Sequence, residues 1–131
     1  MKMDNGFYVE PIGLADGLAL WWNNEIKLSV LHFDKNFIDT IISLNGEEEW
    51  FGTFIYAPPY ESEKQDFWER IGRLRNTNNE KWCIMGDTNT VTSPYEKHGG
   101  LQFDQNNAKW YFEFLERSYL MELHSTGGAY T

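Results

Sequence analysis

The sequence is poor in cysteine, in positive charge and in long apolar runs, and each shortage excludes something. Cys83 is its single cysteine, so an intramolecular disulfide framework and a cysteine-based zinc site are both excluded. Lys and Arg number 11 against 20 Asp and Glu, for a formal charge of -9. That balance weighs against broad, sequence-independent nucleic-acid binding, which calls for a basic surface to neutralise phosphates. A metal-dependent enzyme stays open, because a divalent cation changes the local charge. No stretch approaches the roughly 20 apolar residues of a membrane span, and the N-terminus lacks the apolar run of a signal peptide. The expectation is a soluble intracellular protein with no membrane partner.

What is present points to a packed domain. The chain has 131 residues, 17% of them aromatic. This length suits one domain able to bury a core without disulfides, and the aromatic content is foreign to disordered acidic tails. Residues 1–131 are therefore expected to form a single domain.

Periodicity supplies the elements. Gly17–Trp22 reads as a short buried strand closed by Asn23-Asn24. Lys27–Phe33 alternates, and the β-branched run Phe37–Leu44 ends at the turn dipeptide Asn45-Gly46. Trp50–Tyr56 is a further strand that Pro58-Pro59 must end, since proline cannot donate to a ladder. Ser62 and Gln65 make a capping box ahead of Phe67, Trp68, Ile71 and Leu74 at helical spacing, with Arg70, Arg73 and Arg75 in the last turns. Trp82–Met85 is wholly apolar and reads as a central strand covered on both faces. Asp104 is a candidate N-cap for a second helix whose apolar residues surround most of it, and Met121–His124 a candidate last strand. Four or five strands with two helices predict an α/β (α+β) layered sandwich.

The string with chemical content is Ile84-Met85-Gly86-Asp87-Thr88-Asn89. An apolar strand delivers Asp87 and Asn89 to its C-terminal tip, where open α/β sheets place ligands. A spacing of two puts both side chains on one side if strand geometry persists. A carboxylate and an amide there suit a water, a phosphate or a hydrated Mg²⁺. The competing reading is that Gly, Asp and Asn simply end strands and make turns.

The surrounding order adds a resemblance. Gly52–Pro58, a strand ending in Tyr, precedes a helix and then the Gly-Asp-x-Asn strand. This resembles the endonuclease/exonuclease/phosphatase superfamily, the DNase I-like fold. The string Gly13–Trp22 is similar to the Gly-Leu-x-Gly-Gly-Leu-Ala-Leu-x-Trp string of the endonuclease domains in plant non-LTR (LINE-type) retrotransposons. Gly86–Val91, with Ser93–Gly100, resembles that group's Gly-Asp-Phe-Asn-Glu and Ser-x-x-Glu-Lys-x-Gly-Gly, and Gly127–Thr131 its Gly-x-x-Phe-Thr-Trp. Thr88, Thr90 and Asp16 depart from the pattern.

The resemblance implies a DNase I-like layered β-sandwich with helices packed on the sheets, and a Mg²⁺- or Mn²⁺-dependent phosphodiester hydrolase. Tyr56 would hydrogen-bond the scissile phosphate, Asp87 would manage the attacking water and contact the metal, and Asn89 would orient the cluster. The family's N-terminal Asn and Glu and its C-terminal Ser-Asp-His element have no match here. The expectation is thus a truncated, partial domain of reduced or no activity. Among local substitutes, His124 is the candidate histidine, although a structural role in a strand suits it better. Two function classes follow. One is a nuclease acting on nucleic acid. The other is an inactive retroelement-derived remnant that binds a protein partner, or a second copy of itself, through uncovered sheet edges.

Overall fold

Alternation and β-branching place most of the strands, and pairing supplies the one that local sequence conceals. The computed structural model describes residues 4–9, 17–75, 80–89, 108–118 and 120–122. It holds six strands and two helices: β1 (Asn5–Val9), β2 (Leu18–Trp22), β3 (Ile26–Asp34), β4 (Phe37–Leu44), β5 (Trp50–Tyr56), α1 (Glu61–Gly72), β6 (Trp82–Asp87) and α2 (Lys109–Arg117). Two compact units contain them, one built from residues 1–57 and 79–88, the other from 58–78 and 89–131.

The first unit carries both sheets. β1 pairs antiparallel with β2, from Asn5 opposite Trp22 to Val9 opposite Leu18. Asn5 and Gly6 are poor strand formers, so β1 exists through its partner rather than its propensity. An Asx turn leads out of β2: the Glu25 N–H donates to Asn23 Oδ1 at 3.0 Å, and the Ile26 N–H to the Asn23 carbonyl at 3.2 Å. The second sheet runs β3-β4-β5-β6, antiparallel except for β5 and β6, which are parallel. A parallel pair needs a long crossover, and the connection between β5 and β6 includes α1. β4 is buried along nearly its whole length, as its Phe-Ile-Asp-Thr-Ile-Ile run predicts. An irregularity between Val30 and His32 breaks the alternation of β3 and leaves His32 and Phe33 on the surface.

Two expectations change here. Trp82–Met85 is not a central strand: among the described residues β6 pairs only with β5, and its residues are half-buried or exposed. Its apolar run marks a strand, but four residues cannot reveal how many neighbours that strand has. Nor does Ser62 cap α1. The helix begins at Glu61 after Tyr60, with no side-chain cap, and Gln65 Nε2 donates to Glu69 Oε1 at 3.2 Å instead of reaching back. Pro58-Pro59 follows β5, and the helix starts two residues earlier than the capping pattern suggests.

The second unit is held by aromatic packing. Phe67, Trp68 and Ile71 of α1 are buried with Tyr111 and Phe114 of α2. The Trp68 ring lies 4.8, 5.1 and 5.0 Å from the ring centres of Phe67, Tyr111 and Phe114, within the range where aromatic pairs add to simple burial. α2 turns only one face inward, and Phe112 is exposed. The helix is therefore one-sided rather than apolar all round. The expected N-cap, Asp104, lies outside the described residues. Residues 120–122 are described and form no strand, and His124 lies beyond them.

Candidate functional site at the β5–β6 tip

Tyr56 and Asp87 end neighbouring parallel strands in register, directly opposite one another. The backbone beneath them is pinned from both sides. The Ala57 N–H donates to the Asp87 carbonyl at 2.8 Å. Asn36, at the β3–β4 turn and only 8% exposed, grips Tyr56 twice. Its carbonyl accepts the Tyr56 N–H at 2.8 Å, and its Nδ2 donates to the Tyr56 carbonyl at 2.9 Å. Asn36 is held in turn by a 2.7 Å bond from its own N–H to Asp34 Oδ1. The backbone is thus fixed while the side chains face solvent: Tyr56 is 48% exposed and Asp87 is exposed. Fixed backbone with reachable phenol and carboxylate is the arrangement a preorganised site requires.

Gly86 is what allows the close approach. Its φ is +132°, and a β-carbon there would overlap the Ile55 carbonyl oxygen and stand 3.0 Å from the Ile55 carbonyl carbon and amide nitrogen. No other residue fits without moving β5 or β6. The glycine of the Gly-Asp-x-Asn string is therefore a packing requirement of the tip.

Asn89 behaves differently from the two-residue alternation. Strand β6 ends at Asp87, and Asn89 takes the left-handed region with φ +48°. Strand geometry does not persist to it, so the spacing of two no longer fixes a shared face. The structure brings Tyr56 and Asp87 together, while Asn89 belongs to the second unit. His124 and the Gly13–Asp16, Ser93–Gly100 and Gly127–Thr131 strings lie outside the described residues.

Below the tip lies a cavity of about 200 Å³ lined by Leu18, Ala19, Ile38, Phe54, Ile55 and Met85. These walls offer nothing to a phosphate, so the polar chemistry is confined to the rim above. Sequence reading missed a second polar feature. Asp39 is fully buried in the middle of β4, where it accepts the Thr53 hydroxyl at 2.7 Å. Thr53 Oγ1 in turn accepts the Trp82 indole N–H at 2.8 Å. This chain of bonds ties β4, β5 and β6 together three residues below Tyr56. An acid inside a β-branched strand was the available signal. Among the described residues no group of three or more His, Cys, Asp or Glu converges. Of the residues at this tip, Asp87 is a carboxylate that would be available to a cation. Magnesium commonly uses one or two carboxylates and fills its remaining positions with water and substrate oxygens.

The family model described as "Endonuclease/Exonuclease/phosphatase family" matches residues 3–130. The chain belongs to the endonuclease/exonuclease/phosphatase family. That match spans nearly the whole sequence and includes every element described above. Its α/β fold, with two sheets and two helices among the described residues, is that of the DNase I-like superfamily to which the family belongs. No curated protein matches the chain. No helix among the described residues is long and apolar enough to cross a membrane.

Proposed function

We propose that this family member is a metal-dependent phosphodiester hydrolase acting on nucleic acid, with Tyr56 and Asp87 at its site. The observation that carries the reading is the in-register pairing of Tyr56 with Asp87 at a backbone-pinned strand tip. The Tyr56 hydroxyl donates to a non-bridging oxygen of the scissile phosphate. Asp87 accepts a proton from the attacking water as its oxygen bonds to phosphorus. The ester P–O bond on the far side breaks, and the leaving oxygen takes its proton from solvent. Mg²⁺ or Mn²⁺, held in part by Asp87, would supply Lewis-acid polarisation of the phosphoryl group. The strings Gly13–Trp22 and Gly86–Gly100 support a finer placement, among relatives of the LINE-type retrotransposon endonucleases of plants.

Cleavage of a labelled oligonucleotide, with and without a divalent cation, tests the reading through Tyr56→Phe and Asp87→Asn. Tyr56→Phe removes one donor to the developing charge and should slow cleavage by about 100-fold. Asp87→Asn removes the proton acceptor and should cost about 100- to 10,000-fold. Two variants that cleave at the parent rate would overturn the assignment.

A second reading, a binding module for a protein partner or another copy, is favoured by β6. Among the described residues it pairs on one side only, and such strands template pairing with other chains. A monomer by sedimentation at every concentration, with no partner retained, counts against it.

A further inference from the structure

Trp21 and Trp22 are neighbours in sequence with opposite surroundings. Burial alternates along both β1 and β2. Phe7, Leu20 and Trp22 share the face turned to the second sheet, where the Phe7 and Phe33 rings meet edge to face at 5.0 Å. Gly6, Tyr8, Ala19 and Trp21 share the other face, and all four are exposed. Trp21 is 63% exposed and Tyr8 55%.

Both rings lie down on the sheet. Trp21 stands opposite Gly6, and a β-carbon on Gly6 would overlap Cε3 and Cζ3 of the indole. A β-carbon on Gly17 would stand 2.7 Å from the Tyr8 hydroxyl oxygen and 2.9 Å from Tyr8 Cζ. Each ring thus fills the space over a glycine and rests against backbone, a known way of shielding strand glycines. That contact accounts for one side of each ring. More than half of each residue's surface still meets solvent.

Size and charge select the occupant. Two strands of five residues present a footprint of about 160 Å². A stable protein interface needs roughly 800 Å² on each partner, so the patch is too small to hold a second copy or a globular partner. None of its four side chains is charged, so it offers nothing to a phosphate. Neutral rings instead bind flat π-systems by stacking, and every nucleobase has such a face. Tyr8 lies two residues along β1 from Gly6, so the rings are anchored about 7 Å apart along the strands. That leaves room for one base on each.

We propose that this face of β1 and β2 is a stacking platform for two successive bases of single-stranded nucleic acid. The choice of ligand rests on the nucleic-acid reading above, while the platform lies on a different sheet from Tyr56 and Asp87 and takes no part in cleavage. The net charge of -9 gives the proposal an unusual signature. Binding that neutralises phosphates weakens steeply as salt rises. Stacking on an acidic protein does not, and screening of the repulsion should hold or tighten it.

The test is anisotropy of a fluorescein-labelled oligothymidylate in chelator, with an abasic strand of equal length as the second probe. Oligothymidylate should bind, the abasic strand should not, and affinity should hold or rise between about 50 and 200 mM salt. Trp21→Ala and Tyr8→Ala should each weaken binding about 5- to 150-fold, with urea unfolding checking that both fold. Trp21→Phe keeps a ring and should retain most of the affinity. Phe112→Ala, an exposed ring of α2, and Asp87→Ala should bind as the parent does. Loss of plasmid nicking with strand binding intact removes the cleavage reading alone. The platform is overturned if oligothymidylate does not bind, if the abasic strand binds equally, or if affinity falls steeply with salt. Folded Trp21→Ala and Tyr8→Ala variants that bind as the parent, or a neutral oligosaccharide bound more tightly than oligothymidylate, also overturn it.

Discussion

Replacing Gly86 by alanine tests the strand tip more sharply than any change of a polar group. The added methyl meets backbone, not a side chain able to swing away: it overlaps the Ile55 carbonyl oxygen and sits 3.0 Å from two further Ile55 backbone atoms. The φ of +132° is itself a conformation that costs a non-glycine residue about 1–3 kcal/mol. Relief requires β6 to shift off β5, which also stretches the 2.8 Å bond from the Ala57 N–H to the Asp87 carbonyl. Losing that bond costs about 1 kcal/mol more. The expected destabilisation is therefore about 2–4 kcal/mol. Urea unfolding followed by tryptophan fluorescence reads it directly. Gly46→Ala is the control: its φ is +80° but nothing lies within 4 Å of the new β-carbon. It carries backbone strain without overlap and should cost about 1 kcal/mol. Equal costs at the two positions, or less than about 0.5 kcal/mol at Gly86, would refute the close-approach argument.

Three further outcomes follow from the packing. Asn36→Ala removes the 2.9 Å bond to the Tyr56 carbonyl at a largely buried position and should lower stability by about 1–2 kcal/mol. It should also reduce any cleavage activity, so both urea midpoint and rate should fall. Thr53→Val keeps shape but deletes the hydroxyl between the Asp39 carboxylate and the Trp82 indole. The expected loss is about 1–3 kcal/mol, and a near-neutral unfolding midpoint would contradict the network. Trp68→Ala empties the aromatic cluster of the second unit, where Trp68 is almost fully buried. It should cost about 3–5 kcal/mol in calorimetry or urea unfolding.

The strands of the second sheet were legible because their signal is local. Phe37–Leu44 and Trp50–Tyr56 are β-branched and aromatic, and the structure returns both with those bounds. The β1 strand was not legible, because Asn5-Gly6 opposes strand propensity and only pairing with Trp21-Trp22 of β2 overrides it. Gln65 fits a capping box equally well on paper and bonds Glu69 instead. At the tip, the sequence indicated where Asp87 would stand, since an apolar strand must end at its first charge. It could not show that Asp87 lies opposite Tyr56, because register in a parallel pair is fixed by the intervening crossover. Asn89 shows the limit of period-two reasoning: one left-handed residue ends it. Asp39 was hidden for the opposite reason, since its burial depends on partners from two other strands.

The central claim, that this strand tip cleaves phosphodiesters, is tested most directly by nicking of supercoiled plasmid with the purified chain and its Asp87→Ala variant, in Mg²⁺ or Mn²⁺ and in chelator. The account predicts divalent-dependent nicking by the parent that is lost in Asp87→Ala while the variant keeps the parent's unfolding midpoint. Nicking by a folded Asp87→Ala variant at the parent's rate, or none by either protein, would contradict it.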